Sequence, residues 1–268
     1  MRGMREPLRA YARTATLAAQ QAGRLLARRL GRPNTVQTKR SAIDLVTELD
    51  RHAERLIQRI LHRAYPTFDF LGEEHGQPRH SSPYRWIVDP LDGTNNFVHG
   101  LPFFGVSIGL QYRQTMIAGV IYDPMRQELF VATKGGGAYL NGRRIMVSST
   151  RRLACSLLAT GFSSRFLTRQ EPYLHWFTTL QRHSHGVRRL GSTVLCLAAI
   201  AAGRLEGFYE RDLWPWDMAA GILLVEEAGG RITNLAGDRP ALEAGQLVAS
   251  NGHIHNQLLR RLRPTRKR

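Results

Sequence analysis

The chain has 268 residues, of which 43% are hydrophobic and 22% charged. That is enough apolar material for a sizeable core, in one large domain or two tightly joined ones, and it excludes wholesale disorder. Lysine and arginine outnumber aspartate and glutamate 38 to 21, a formal charge of +17 that raises local phosphate concentration and suits nucleic acid or acidic partners. No apolar run is long enough to cross a bilayer, so no membrane association is expected.

Residues 1–32 are rich in arginine and alanine with Glu6 as their one acid, a composition shared with transit peptides. The helical spacing of Leu17, Ala18, Ala22, Leu25, Leu26 and Leu30 favours an ordinary surface helix over 9–31, ended by Gly31 and Pro33. A second helix is predicted over 47–64, with Thr47 as cap, Asp50 in the first turn and a stripe of Leu56, Ile57, Ile60 and Leu61. Strands are predicted at 85–89 and 104–112, then a hairpin of 115–122 and 127–133 around Asp123-Pro124. Gly135-Gly136-Gly137 and Asn141-Gly142 read as turns. Further on, short strands alternate with helices at 192–202 and 217–228, the second closed by Gly229-Gly230. The pattern predicts two packed α/β halves, 1–145 and 146–258, with a basic tail at 259–268.

Cys155 and Cys196 have no metal-ligand or CxxC spacing and read as small buried apolar residues, which fits a reducing, cytoplasmic setting. The basic pairs, from Arg28-Arg29 to Arg260-Arg261, are scattered and not interleaved with aromatics. A solvated basic surface is the plain reading, with a nucleic-acid site as its alternative.

The informative segment runs from Trp86 to Phe97. An apolar strand leads into Asp89; Pro90 opposes an ordinary central strand beyond it, and Asp92-Gly93-Thr94 suits a tight turn or helix start. Carboxylates hold hard cations, and free N–H groups at a helix start hold phosphate. Taken alone, this segment is equally a capped turn. Two further clusters favour chemistry. Gly72-Glu73-Glu74 ends an apolar strand in paired acids whose repulsion a cation would relieve. Asp217, in Trp214-Pro215-Trp216-Asp217, is an acid among apolar neighbours at a helix start, where it reads as an N-cap.

With these motifs in this order, and with Asp44-Leu45-Val46-Thr47 and Asp50 upstream, the chain resembles the inositol monophosphatase family of the bacterial inositol-1-monophosphatase type, from about residue 9 to 255. The resemblance implies a layered α/β/α/β/α sandwich, a homodimer, and lithium-sensitive, magnesium-dependent hydrolysis of a small phosphate monoester, most directly myo-inositol monophosphate. It implies two to three Mg2+ ions. Glu73, Asp89 and the Leu91 carbonyl would hold the first; Asp89, Asp92 and Asp217 the second; a weaker third would lie near Glu73. The first half would then carry most metal ligands, and the second Asp217 and the substrate pocket. Gly93 and Thr94 would meet the phosphate. Glu210 would accept bonds from inositol hydroxyls, in a pocket lined by Arg188, Gly191, Ser192 and Thr193, with Lys39 and Glu74 near the metals. Asn95 stands where Thr is frequent and Thr193 where Ala is frequent, the latter narrowing the pocket.

No cysteine sits beside a base in a recognisable motif and no Ser–His–Asp set can be read, so water is the expected nucleophile, with Thr94, Asp50 and Glu73 moving its proton. The alternatives are the same chemistry on histidinol phosphate, a sugar phosphate or a nucleotide 3′-phosphate, and an RNA- or transcription-associated binding role for the basic surface.

Overall fold

In a computed structural model of the chain, residues 5–31, 36–38, 45–74, 82–162 and 170–262 are described. Helix α1 (Arg5–Ala27) is followed by a short antiparallel pair, β1 (Val36–Thr38) and β2 (Leu45–Thr47), and by α2 (Glu48–Ala64). Next come β3 (Asp69–Gly72), β4 (Tyr84–Asp92), the short helix α3 (Thr94–Val98), β5 (Gly105–Tyr112), β6 (Thr115–Asp123), β7 (Glu128–Thr133), β8 (Gly137–Leu140) and β9 (Arg143–Ile145). The chain continues through β10 (Leu157–Thr160), α4 (Gln170–His183), β11 (Gly186–Arg188), α5 (Thr193–Ala201), β12 (Gly207–Arg211), α6 (Pro215–Glu227), β13 (Arg231–Thr233), β14 (Gln246–Ser250) and α7 (His255–Leu262).

Strands β3 to β9 form a seven-stranded sheet in chain order, antiparallel except for the parallel β3–β4 pair. The second sheet has five strands in the order β11-β10-β12-β14-β13, parallel from β11 to β12 and antiparallel beyond. Helices α1 and α2 cover the outer face of the large sheet, α5 and α6 lie between the sheets, and α4 and α7 cover the outer face of the small one. This is the expected α/β/α/β/α sandwich. Among the described residues no helix is long and apolar enough to cross a membrane.

Close packing explains which residues line the layers. The buried face of α1 is Ala12, Ala15, Ala18, Ala19, Ala22 and Leu26, and a side chain at Gly23 would strike the Tyr122 ring of β6. Small residues let the helix lie almost on the sheet; Leu17, assigned to the apolar stripe, falls on the face opposite Ala15, Ala22 and Leu26 and is 47% exposed. The same device seats α6 on the other face, where a side chain at Gly119 would strike Ala220.

The hairpin at Asp123-Pro124 forms as expected, its turn held by the Asp123 carboxylate, which accepts from the Met125 and Arg126 amides at 2.9 and 3.0 Å. Three expectations are corrected. Strand β4 does not stop at Asp89 but continues through Pro90 to Asp92, with one extra residue against β5. A bulge is where a sheet tolerates proline, because the missing N–H falls outside the ladder. Cys155 is exposed, while Cys196 is buried in α5. Helices α4 and α7 were not anticipated. Their anchors, Tyr173, Trp176 and Leu180 in one and Leu258, Leu259 and Leu262 in the other, sit among polar and basic residues. Helix α7 thus takes up the start of the stretch expected to be tail.

His255, fully buried at the start of α7, ties that helix to the small sheet. Its Nε2 lies 2.9 Å from Thr233 Oγ1, and its Nδ1 2.8 Å from Ser250 Oγ. The Thr233 hydroxyl donates to the Asn234 carbonyl, so it accepts from Nε2–H; Nδ1 then accepts from Ser250. Only neutral imidazole satisfies both bonds, and burial, aided by the Arg231 charge, pushes the pKa from 6.5 down to about 4. The unfolded chain therefore binds this proton first as pH falls, and stability drops between pH 6.5 and about 4. His255→Gln should melt lower at neutral pH but lose less on acidification across that window. Parallel melting curves for the two proteins would exclude this role for His255.

Candidate metal and phosphate site

The bulge at the end of β4 does the first work of the site. The extra residue lets Asp89 turn its carboxylate back on its own chain, where Oδ1 accepts the Leu91 amide at 3.0 Å. Gly93 then adopts φ 99°, and a side chain there would meet the Phe103 and Gly191 carbonyls, so glycine is required both for conformation and for clearance. Helix α3 starts at once, its first bond running from the Phe97 amide to the Gly93 carbonyl. The amides of its first turn have no partner within the helix. Turn, carboxylates and amides thus share one short stretch of chain.

The rest of the site comes from other layers. The start of α6 brings Asp217 beside Asp89 and Asp92, and one carboxylate oxygen from each lies within 4.8 Å of the others. Asp217 is the third residue of α6, not its N-cap: Trp214 holds the cap position, and its amide donates to Asp217 Oδ2 at 2.6 Å. Trp214 stacks on Trp216 with ring centroids 5.4 Å apart. The start of α5 holds Asp92, whose Oδ2 accepts from the Ser192 hydroxyl at 2.5 Å and the Val194 amide at 2.8 Å. Each of these aspartates is anchored through at least one oxygen, which fixes the direction in which its carboxylate faces the other two.

Helix α2 lies behind the bulge. Asp50, fully buried, accepts from the Thr94 hydroxyl at 3.1 Å, and that hydroxyl lies equally close to the Leu91 carbonyl. One turn later the buried Glu54 accepts the Glu74 amide at 2.8 Å and packs so tightly on Gly72 that no side chain would fit there. Glu73 stands outside the three-aspartate group, yet its charge is close enough to raise the pKa of Asp217.

In the adjoining pocket Thr193 donates to Glu210 Oε2 at 3.0 Å, and Glu210 packs against Gly161, where a side chain would collide with it. Arg188 lies exposed on edge strand β11. The guanidinium whose field reaches Asp92 and Glu210 is that of its neighbour Arg189. Asn96 clasps the pocket loop, with Nδ2 donating to the Phe103 and Leu190 carbonyls at 2.8 Å each. Lys39 and Asp44 lie outside the described residues.

Sequence reasoning did not single out Glu54, Asn96 or Arg189. Two acids four residues apart on an amphipathic helix were a usable signal for Glu54, since both fall on its buried face. The roles of Asn96 and Arg189 depend on contacts between segments about a hundred residues apart.

The electrostatics follow from packing. Asp89 is buried; Asp92 and Asp217 keep some accessible surface, but protein atoms strip most of their hydration. Desolvation pushes Asp92 up to about 6 against the pull of Ser192 and Val194, and Glu210 up to about 8 against that of Thr193. Asp217 is raised by desolvation and then by the Asp92 charge. Three converging carboxylate oxygens that resist ionisation together fit a hard divalent cation, which removes the repulsion and accepts oxygen ligands.

The profile of the inositol monophosphatase family matches residues 8–267. The chain is 44% identical over 253 residues to a Nus factor SuhB of Pseudomonas aeruginosa, covering 92% of this chain and 93% of that one. It is 42% identical over 243 residues to an inositol-1-monophosphatase of Rhizobium meliloti, covering 90% and 91%. The structure of an inositol monophosphatase from Anabaena superposes with a TM-score of 0.88 at 39% identity, covering 96% of each chain. The chain belongs to the inositol monophosphatase family, a family of metal-dependent phosphatases.

Because the folded carboxyls keep their protons to higher pH than the unfolded ones, the metal-free fold loses stability as pH rises from about 4 towards about 8. A cation bound by the ionised forms opposes this loss. The rise in melting temperature on adding Mg2+ should therefore be larger near about pH 8 than near about pH 5. The double variant Asp92→Asn, Asp217→Asn should show almost no rise. A pH-independent shift that survives in the variant would place the cation elsewhere.

Proposed function

We propose that the protein hydrolyses myo-inositol monophosphate to inositol and phosphate with magnesium as its cation and water as nucleophile. The observation that carries this reading is the convergence of Asp89, Asp92 and Asp217 on a turn whose Thr94 hydroxyl is already bonded to a buried acid. Glu73, Asp89 and the Leu91 carbonyl would hold one ion, Asp89, Asp92 and Asp217 a second, with a weaker third near Glu73. When bound, these ions polarise the phosphoryl oxygens and lower the pKa of coordinated water.

The chain's own groups supply position and proton transfer. The Gly93 and Thr94 amides and the Thr94 hydroxyl receive the phosphate. Thr94 Oγ1 can take a proton from the attacking water only as its own moves to Asp50, 3.1 Å away, and Glu73 shares that task. Glu210, held through Oε2 by Thr193, would offer its other oxygen to ring hydroxyls in a pocket completed by Gly191 and Ser192, with Arg188 on neighbouring strand β11 and the charge of Arg189 reaching Glu210. We further assign a homodimer, inhibition by lithium and a cytoplasmic location. A second role in transcription is favoured by the +17 charge and by the name Nus factor carried by the Pseudomonas aeruginosa relative.

Asp92→Asn should fold and lose nearly all phosphate release. Thr94→Ala should slow turnover by at least about 100-fold while Mg2+ still raises the melting point. A single turnover in oxygen-18 water should place one labelled oxygen in the phosphate; unlabelled phosphate, or a trapped phosphorylated side chain, would overturn the water mechanism. Lithium should inhibit, and insensitivity at high lithium would remove that assignment.

The hydroxyl of Thr193 gives a separate test of the pocket. Thr193→Val keeps the shape and removes the donor, so KM for inositol monophosphate should rise several-fold with kcat nearly unchanged. Thr193→Ser should restore it. Equal KM values in all three proteins would mean that Glu210 needs no such support.

A further inference from the structure

Six of the chain's cations gather along one pair of surface grooves. Along α1, residues 9, 13, 16, 20, 24 and 27 recur every three or four positions and so lie on one face. That face forms one wall of two adjoining surface grooves, of about 950 and 610 Å3, whose other wall is the β7–β8 side of the large sheet; both grooves are lined by Leu129. Arg9, Arg13, Lys134 and Arg144 line the first groove, and Arg24 and Arg28 the second. All six are exposed.

Several nearby acids are already engaged, while Glu226 lies within electrostatic reach of Lys134. Glu227, in the first groove, accepts from the Gly135 and Gly137 amides at 2.7 and 2.8 Å. Glu128 is held by Arg204 through two bonds of 2.6 Å, and Asp123 by Arg126 at 2.8 Å. Among the described residues, none of the six groove cations is paired with a carboxylate. Arg9, Arg13 and Arg24 stand in a row on α1, with Arg28 just past its end and Lys134 and Arg144 on the opposite side of the first groove.

We propose that this track binds single-stranded nucleic acid through its phosphate backbone. The inference rests on the surface and does not depend on the hydrolytic reading. At 1.5 Å per residue the helical wall from residue 9 to residue 27 is about 27 Å long, enough for a basic groove to follow several nucleotides. A concave basic groove that tracks the backbone is the form in which single strands are held without sequence preference. Five of the six cations are arginines, whose planar fork matches phosphate oxygens. The apolar side chains that line the channel, Leu8, Leu129, Val131 and Tyr139, are only partly exposed, and none of the large hydrophobic side chains exposed elsewhere among the described residues reaches it, so it offers a protein partner little to anchor on. Binding to phosphates and not to bases predicts weak sequence preference and strong salt dependence.

The test uses the full chain and a fluorescein-labelled single-stranded RNA of mixed sequence, about 20 nucleotides long, followed by anisotropy over a KCl series. Arg9, Arg13, Arg24 and Arg28 are changed together to Gln, a good helix former. A control of equal charge changes the exposed Arg151, Arg152, Arg260 and Arg261 to Gln. The track variant should bind at least about 30-fold more weakly at low salt. Its slope of log affinity against log salt should fall by about 3, at about 0.7 for each phosphate no longer neutralised. The control should weaken by less than about threefold, and both variants should keep wild-type phosphate release and melting temperature. Equal weakening in track and control variants would reduce the effect to net charge and overturn the assignment. So would wild-type binding by the track variant, or equal competition by a duplex of the same length. Displacement of the RNA by polyglutamate at equal charge concentration would point to an acidic protein partner instead.

Discussion

The structure is organised around an electrostatic conflict. Three aspartates are drawn within ligand distance of one another in a place where water cannot screen them well, with Glu73 close by. Such a group is unfavourable as anions and useful only if held apart from alternative partners. The protein meets both conditions with anchoring bonds. Asp89 is tied to its own strand, Asp92 to the start of α5 and Asp217 to the start of α6. Backbone amides at helix starts are suited to this task, since they carry partial positive charge and have no partner in their own helix.

The layered architecture follows from the need to bring these anchors together. Helices α5 and α6 are sandwiched between two sheets, so their first turns are fixed by packing over their whole length. Alanine on α6 meets glycine on β6, which sets the depth at which Asp217 emerges. The large sheet presents the bulge of β4 at the same level, and α2 backs it with Asp50 and Glu54. Position at the site is therefore inherited from the interior and not from flexible loops, the condition under which a hydroxyl and an acid can exchange a proton reproducibly.

What was legible in the sequence was what depended on local chain chemistry. The stretch from Trp86 to Phe97 carries strand, bulge, turn and ligands within a few residues, and both the turn and the carboxylates could be read there. The hairpin at Asp123 and the late helices were readable for the same reason. The errors arose where packing overrode local preference. Pro90 marked a bulge and not a strand end; Asp217 reached back to a cap residue instead of being one; Leu17 falls on the solvent side of α1, whose buried face is built mostly of alanines. Thr193, read as a narrowing of the pocket, is also a hydrogen-bond donor to Glu210, a role visible only once β12 lies beside α5. Cation clustering was likewise hidden, because the arginines of α1 and the basic residues flanking β8 are separated by more than a hundred positions in the chain.

The clasp between the two sheets has a mechanical consequence. Asn96 grips the Leu190 carbonyl, and Ser192 grips Asp92, across spans of 94 and 100 residues. These bonds are at once the seam between the layers and the support of the candidate metal ligands. Parting the layers therefore dismantles the cation's coordination shell, and a bound cation works as a rivet through the seam. Breathing of the small sheet away from the large one, measured by amide exchange in β10 and β12, would then depend on whether a cation occupies the three aspartates, and catalysis would be coupled to the cooperativity of unfolding.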